Sequence, residues 1–244
     1  MGAIKISDVS QYIENKSINF NNIRLRHLKK FDLNDALLRI DPYLLGVQNI
    51  LLTGDFVKAL LDAYLSSQEE TIFGNFLEGL AIFINEKAYR GWKSSSQGID
   101  LEFNKDNIRY LVAIKSGPNW GNSSQIRKMQ EDFRKAKQTM RTGNSKVNII
   151  AVNGCCYGRN VKTDKGDYYK YCGQKFWEFI SGSPDVYLKI IKPLGYTARE
   201  KNAQFHKAYA QIINRFTQEF SKTFVKNGEI DWETIVKFNS AESQ

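Results

Sequence analysis

Two acidic residues and one lysine stand at the ends of two short stretches whose composition is typical of β-strands. Asp100 and Glu102 belong to a short apolar run, and Lys115 ends a second run, Ile108–Lys115. The polar segment between the runs, residues 104–107, predicts a β-hairpin. Side chains alternate across a strand, so Asp100 and Glu102 share one face and Lys115 can meet Asp100 at one edge. The pattern predicts a site that combines carboxylate metal ligands with an ammonium group.

The sequence around this hairpin resembles a known family of enzymes. The strand that Lys115 ends continues as IKSGPNWGNSSQ, which combines a lysine-ended strand, a Gly/Pro/Asn loop and a helix start. Further along, the chain reads YCGQKFWEFISG. With Asp100 and Lys115, these segments resemble the type II restriction endonucleases of the PD-(D/E)xK nuclease superfamily. The resemblance covers roughly residues 74–191.

The resemblance assigns a role to each end of the hairpin. It implies that Asp100 is the first acid of the motif and the principal metal ligand, and that Lys115 is the motif lysine. The chain departs from the motif at two positions, because Ile99 replaces the proline and Ala113 replaces the acid that normally stands two residues before the lysine. One carboxylate holds Mg²⁺ poorly, so a second acid must come from elsewhere in the chain.

Three residues are candidates for the relocated acid. In the nucleases that this chain resembles, a helix before the hairpin often supplies an additional metal-binding glutamate. Glu78, within FGNFLEGLAIF, is therefore the first choice, although an ordinary solvated glutamate explains this residue equally well. Glu102 is the second choice because it shares a strand face with Asp100, and Glu131 on the following helix is the third. The carbonyl of Ile114 is an expected backbone ligand.

The expected chemistry is Mg²⁺-dependent hydrolysis of a phosphodiester bond. Carboxylates that hold Mg²⁺ lower the pKa of the attacking water and neutralise phosphate charge. A lysine beside them orients the water or helps to deprotonate it. The resemblance implies a sequence-specific endonuclease of double-stranded DNA, with Asp100, Lys115, Glu78 and Glu102 as catalytic residues. Asp100, Glu78 and Ile114 are the expected metal ligands.

A polyanionic partner agrees with a net charge of +9 and a sequence pI of about 9.3. Several polar and basic residues near the hairpin and at the start of the next helix are expected to contact DNA, although a solvated surface explains them as well. They are Lys93, Ser116, Asn119, Trp120, Asn122, Ser123, Ser124, Gln125, Arg127, Lys128, Arg159 and Lys162.

A near-palindromic target is most simply cut by a twofold dimer, so a homodimer is expected. The aromatic stripe of a helix over Thr197–Val225 predicts either core packing or a dimer surface. A cognate DNA methyltransferase would share the recognition site of the restriction–modification pair without having to bind this chain. Two other functions stay open: a repair or recombination nuclease of the same fold, and an inactive DNA-binding protein in which Ala113 marks a decayed site.

The predicted fold is α/β: a central mixed β-sheet with a restriction-endonuclease-like core, flanked by helices. The chain is treated as a single nuclease domain, 1–244, with an N-terminal arm of short helices over about 1–52, a catalytic core over about 53–192 and C-terminal helices from about 193. No run of roughly 20 apolar residues predicts a membrane helix, and no secretory signal precedes the first charges, so a cytoplasmic location is expected. Three cysteines predict buried thiols rather than disulfides.

Overall fold

The computed structural model divides the chain into two compact units. The residues that it describes are 4–143, 147–194 and 202–242. The first unit comprises 1–17 and 73–197, and the second comprises 18–72 and 198–244. Each unit has a hydrophobic core of its own. The assignment of the whole chain to a single nuclease domain stays a prediction.

The described residues include nine helices. They are α1 (Ile6–Lys29), α2 (Leu33–Leu37), α3 (Pro42–Val47), α4 (Thr53–Tyr89), α5 (Ser123–Gly143), α6 (Gln174–Ser181), α7 (Val186–Lys189), α8 (Asn202–Phe224) and α9 (Trp232–Ser240). In the part of the chain that the structure describes, no helix has both the length and the apolar character that a membrane crossing requires.

The first unit is built on a five-stranded mixed sheet in the order β1-β2-β3-β4-β5. Its strands are β1 (Trp92–Lys93), β2 (Leu101–Lys105), β3 (Ile108–Lys115), β4 (Asn148–Cys155) and β5 (Tyr169–Cys172). Strand β2 is antiparallel to both β1 and β3, whereas β3, β4 and β5 run parallel to one another. Helix α5 connects the parallel strands β3 and β4. This arrangement confirms the predicted mixed sheet with flanking helices.

The hairpin of β2 and β3 turns on only two residues, Asp106 and Asn107, which both have positive φ angles of 52° and 60°. Positive φ at both central residues is the geometry of a type I′ turn, whose twist matches that of the flanking strands. Asn and Asp tolerate this conformation better than most residues because their short polar side chains bond locally. The turn fixes the register in which Leu101 lies opposite Val112.

The sheet is covered on both faces. On one face, Leu101, Val112 and Ile114 pack in a buried cluster that also contains Leu80 of α4 and Trp177 of α6. On the other face, a second cluster is formed by residues of the sheet and of α5: Leu111, Ala113, Ile149, Ala151, Met129, Phe133 and Ala136. The central strands are therefore apolar on both sides, as expected of parallel strands between helical layers.

In its described residues, the regular structure of the second unit is helical apart from a two-stranded hairpin, β6 (Val225–Lys226) and β7 (Glu229–Ile230). Its core includes Phe56, Phe216 and Phe220, all buried. Of the two explanations for the aromatic stripe of the C-terminal helix, core packing is therefore confirmed for Phe216 and Phe220. The predicted first part of that helix, 197–201, lies outside the described residues.

Two stretches differ from the sequence-based expectations. The N-terminal arm begins with one helix of 24 residues, α1, rather than with short helices. Helix α4 is continuous over 37 residues, where the sequence pattern predicts one helix from Thr53 and a second from about Glu69 to Ala88. Neither segment contains proline, and polar residues without a helix breaker do not interrupt a helix.

Candidate active site

Asp100 lies immediately before β2, and both its backbone and its side chain bind β3. Its N–H donates to the carbonyl of Val112 at 2.9 Å, and its Oδ2 accepts a hydrogen bond from the N–H of Ile114 at 2.6 Å. Among the described residues, none donates a hydrogen bond to Oδ1. The carboxylate is thus held one residue from Lys115 with one oxygen available to a ligand.

Lys115 lies on the same face of the sheet as Asp100. Because Leu101 pairs with Val112 on one face, their neighbours Asp100 and Ala113 lie on the other, and Lys115 is two residues beyond Ala113. The lysine is half-buried. The structure therefore brings together the aspartate and the lysine that the hairpin pattern singled out.

Glu78 joins them from helix α4. Its carboxylate is partly exposed and forms an ion pair with Lys93 of β1 at 3.6 Å. Burial raises the pKa of the Asp100 carboxyl above its ordinary value, and the negative charge of Glu78 raises this pKa further. The N–H of Ile114 and the positive charges of Lys115 and Lys93 act in the opposite direction. Two carboxylates and two ammonium groups therefore share one electrostatic neighbourhood.

Glu102, the other acid of the hairpin, is held by partners of its own. Its carboxylate is buried and accepts hydrogen bonds from Arg109 at 2.8 Å and from the hydroxyl of Ser94 at 2.6 Å. The guanidinium of Arg109 also lies over the ring of Trp92, 4.8 Å from its centroid. The geometry gives Glu102 a structural ion pair and does not favour the catalytic role predicted for it.

On helix α5 the acid that faces the site is not the predicted one. Glu131 is exposed, whereas the next residue, Asp132, is buried and forms an ion pair with Lys128. Asp132 was not among the predicted site residues, although its spacing of three residues from Met129 places it on the core stripe of the helix. A charged residue at such a position is the signal that could have revealed it.

Asp132 lines a cavity of about 360 Å³ that opens beside Lys115. The cavity lies between the hairpin, the loop after β3 and the first turns of α5. Its lining consists of Gly98, Lys115, Trp120, Ser124, Gln125, Lys128, Met129 and Asp132. Four of these residues, Trp120, Ser124, Gln125 and Lys128, were predicted to contact DNA, so the structure gathers a third of that set around the lysine.

The start of α5 is closed by a reciprocal cap. Asn122 Oδ1 accepts hydrogen bonds from the N–H groups of Ser124 and Gln125 at 3.1 and 3.0 Å. In return, Gln125 Oε1 accepts from the N–H of Asn122 at 2.9 Å. This is a capping box, which satisfies donors that the helix leaves unpaired. The expected phosphate contacts from this helix end must therefore come mainly from side chains.

The remaining residues predicted to contact DNA are spread over the first unit. Ser116 is half-buried, and Asn119, Ser123, Arg127, Arg159 and Lys162 are exposed. Arg159 lies at a separate cavity of about 530 Å³, whose other lining includes Phe73, Trp177 and Ile190. The loop after β4, which carries Arg159 and Lys162, is thus accessible, and its contact with DNA stays a prediction.

Asp100 and Glu78 are the acids that could hold a metal ion. In the described residues, no group of three His, Cys, Asp or Glu side chains is placed to hold one. Mg²⁺ does not require such a cage, because it keeps several waters and binds through one or two carboxylates together with substrate phosphates. The raised pKa of Asp100, to which the charge of Glu78 contributes, marks a place where a cation would relieve repulsion. Hard oxygen donors therefore fit this ion.

A mixed sheet with a carboxylate and a lysine at the same edge of its central hairpin defines an α/β fold of the restriction-endonuclease type. The family model of the type II restriction endonuclease EcoO109I matches residues 7–202 of the chain. The chain therefore belongs to this family, and at the level of the family it is a sequence-specific DNA endonuclease. No curated protein sequence gives a significant match.

Proposed function

We propose that this protein is a Mg²⁺-dependent type II site-specific deoxyribonuclease that cuts double-stranded DNA. Its proposed active site consists of Asp100, Glu78 and Lys115. The observation that carries the proposal is the hydrogen bond of 2.6 Å from the Ile114 N–H to Asp100 Oδ2, which holds the aspartate beside the lysine. The charges of Glu78 and Lys115 both act on the Asp100 carboxyl, which supports their assignment to the same site.

Asp100 and Glu78 are the residues that would hold Mg²⁺. The N–H and the carbonyl of a strand residue point the same way, so the carbonyl of Ile114 faces the Asp100 edge and suits the role of third ligand. When bound, the ion would supply charge neutralisation at the phosphate and acidify a water molecule. The carboxylates of Asp100 and Glu78 supply the ligand oxygens. The hydrogen bond from the Ile114 N–H to Asp100 Oδ2 fixes the side-chain conformation of Asp100.

Lys115 has a separate task. Hydrolysis forms a bond from a water oxygen to phosphorus and breaks the bond to the 3′-oxygen, while negative charge develops on the phosphate. An ammonium group at the edge of the sheet can stabilise that charge and orient the water. Because Lys115 is half-buried, its charge acts more strongly on a phosphate than an exposed lysine would.

The partner is double-stranded DNA, and we propose that the protein cuts as a homodimer, since a near-palindromic site presents two equivalent scissile bonds. A methyltransferase that modifies the same sequence would complete the restriction–modification pair without touching this chain.

A candidate surface for the second copy lies in the second unit. Large apolar side chains are exposed within a short stretch, and Val47 is 84% exposed. The others are Leu38, Tyr43, Leu44, Leu51 and Leu52. The stretch 38–52 carries one Arg and one Asp, so it is neutral in a chain of net charge +9. A neutral apolar patch lets two basic copies associate without strong repulsion.

Val47→Lys should lower the dimer fraction in sedimentation experiments, and an unchanged dimer would exclude this surface.

Ala113 favours one alternative function, a protein that binds DNA without cutting it, because the acid usual at this position is absent.

A plasmid digest distinguishes cleavage from binding alone. We expect a plasmid of known sequence to yield discrete fragments with Mg²⁺ and none with EDTA, and end mapping then gives the site. Retention of DNA on the protein in a gel-shift assay without any cleavage would support the binding function instead. Junction- or flap-dependent cutting would indicate a repair nuclease.

A pair of matched variants tests whether cleavage depends on the proposed lysine. Lys115→Met should abolish cleavage. The control is Lys87→Met, which removes another lysine that lies over an aromatic ring, 5.4 Å from the centroid of Phe83. Lys87→Met should cut at the wild-type rate. Equal rates for wild type and Lys115→Met would place the active site elsewhere.

A further inference from the structure

Strand β4 contains one buried amide among its apolar residues. Asn153 is 1% exposed and lies opposite Ala113 in the parallel pairing of β3 and β4. A polar side chain in such a place costs stability unless its hydrogen bonds are satisfied. Both ends of the Asn153 amide have hydrogen-bond partners. Asn153 Nδ2 donates to the carbonyl of Ala113 at 3.2 Å, and Asn153 Oδ1 accepts a hydrogen bond from Trp120 Nε1 at 3.1 Å.

These two partners fix the orientation of the amide. A carbonyl cannot donate and an indole N–H cannot accept, so Nδ2 must face Ala113 and Oδ1 must face Trp120. The amide thus connects the backbone of β3, at the position of the missing motif acid, to the loop that follows this strand. It holds Trp120 at one defined distance from the sheet.

Trp120 in turn touches Lys115. The Nζ of Lys115 lies 5.2 Å from the centroid of the Trp120 ring, within the range of a cation–π contact. Among the ion pairs that the described residues form, none includes Lys115. The ring face is therefore the contact that the structure provides for this ammonium group.

We propose that Asn153 is a positioning residue for cleavage, and that it acts on Lys115 through the indole of Trp120. The inference rests on the proposed function of Lys115. Asn153 does not touch the reacting atoms. Its amide fixes the indole, and the indole limits the positions that the ammonium group can adopt. Misplacement of a reacting or stabilising group by about 1 Å can lower a rate by roughly 10²-fold, so this support matters for the reaction.

A double-mutant cycle tests whether Asn153 acts through Trp120. Asn153→Ala and Trp120→Phe each remove the same hydrogen bond, and Trp120→Phe keeps an aromatic ring. We expect each variant to lower the single-turnover cleavage rate by roughly 10-fold to 100-fold. The double variant should be no slower than the slower single variant. The affinity of Asn153→Ala for DNA without Mg²⁺ should stay near the wild-type value. Effects that multiply would overturn the proposal.

The control for a buried amide is Asn85, which is fully buried and donates to the carbonyl of Ile180 at 2.9 Å. Asn85→Ala removes a comparable interaction in a different part of the first unit. Combined with Trp120→Phe, it should show independent effects on stability and rate. The same non-additivity in both cycles would mean a general loss of folding and would overturn the assignment to Asn153.

A spectroscopic measurement keeps this inference separate from the proposed function. Lysine amines labelled by reductive ¹³C-methylation give one NMR signal each, and the signal of Lys115 is identified by its absence in Lys115→Arg. The ring current of Trp120 should shift this signal upfield in the wild type. We expect the shift to be lost in Asn153→Ala and kept in Asn85→Ala. An unchanged signal in Asn153→Ala overturns the inference, whereas a wild type that cuts no DNA overturns the proposed function.

Discussion

The two acids of the central hairpin stand two residues apart on one face of the same sheet, and their surroundings are opposite. Glu102 has a guanidinium and a hydroxyl within hydrogen-bond distance, so its charge is neutralised within the protein. Asp100 accepts a hydrogen bond from one backbone N–H, and its pKa is raised by burial and by the charge of Glu78 against the opposing charges of Lys115 and Lys93. The first arrangement stabilises the hairpin, and the second leaves negative charge for a ligand to neutralise. The comparison separates a structural carboxylate from a candidate catalytic one.

The largest effect is expected from Asp100→Asn. This change keeps the shape of the side chain and an oxygen for the Ile114 N–H, but it removes the charge that would bind Mg²⁺. Loss of a single stabilising donor in an active site commonly costs about 10²–10³-fold in rate, and loss of the main metal ligand should cost at least about 10³-fold. Single-turnover cleavage of plasmid DNA measures the effect. A variant that cuts within 10-fold of wild type would remove the distinction between the two acids.

Glu78→Gln should have the next largest effect. We expect cleavage to fall by roughly 10²-fold, because one carboxylate alone binds Mg²⁺ weakly, and higher Mg²⁺ concentrations should restore part of the rate. Glu131→Gln is the matched control, since it changes an exposed glutamate outside the site and should cut as the wild type does. A loss of rate that no Mg²⁺ concentration relieves would argue against a role in metal binding.

The same change at Glu102 should affect folding rather than cleavage. Glu102→Gln leaves the Arg109 guanidinium without its buried counter-charge, and removal of one partner of a buried ion pair costs about 3–5 kcal/mol. Arg109 is partly exposed, so we expect about 2 kcal/mol, or a Tm lower by roughly 4–8 °C. Cleavage well below the Tm should stay within a few-fold of wild type. Loss of cleavage in a fully folded variant would make Glu102 a catalytic residue.

The smallest expected effect is a pH-dependent difference in thermal stability between wild type and Asp100→Asn. A carboxyl whose pKa is raised by folding binds its proton more tightly in the folded state. Its contribution to stability is therefore present below the pKa of the unfolded chain and is lost as the pH rises through the folded-state pKa. Asp100 belongs to this class. Without Mg²⁺, Asp100→Asn should unfold at a higher temperature than wild type near pH 7, and the difference should shrink as the pH falls towards 4. An unchanged difference across this range would contradict the raised pKa.

Local patterns were sufficient to predict the elements that carry the site. The strand Ile108–Lys115 has the predicted bounds, and the hairpin differs only in its turn, which comprises residues 106–107 rather than 104–107. Period-two alternation and a polar turn contain the information needed for these elements. The confirmed mixed sheet follows from the same pattern of hairpin, helix and apolar strand.

Tertiary contacts decided the features that the sequence left unspecified. Arg109 neutralises Glu102, and the path of α4 brings Glu78 near Asp100. Neither contact can be read from a local sequence pattern. The short strand β1 escaped prediction because its two residues, Trp92 and Lys93, lie within a polar loop. The pattern predicts that an apolar strand ends at Val152 and that Asn153 begins a loop, whereas Asn153 lies within β4. Its hydrogen bonds appear only when the loop that carries Trp120 is in place.

The most direct test of the account is the position of the metal ion in a crystal of the protein with cognate DNA and Mn²⁺. Anomalous scattering locates Mn²⁺ without ambiguity, and the ion takes the oxygen ligands that suit Mg²⁺. We predict a peak within about 2.0–2.3 Å of carboxylate oxygens of both Asp100 and Glu78, in contact with a phosphate of the DNA. A peak that contacts Glu102 or Asp132 instead, with Asp100 unligated, would contradict the assignment of the site.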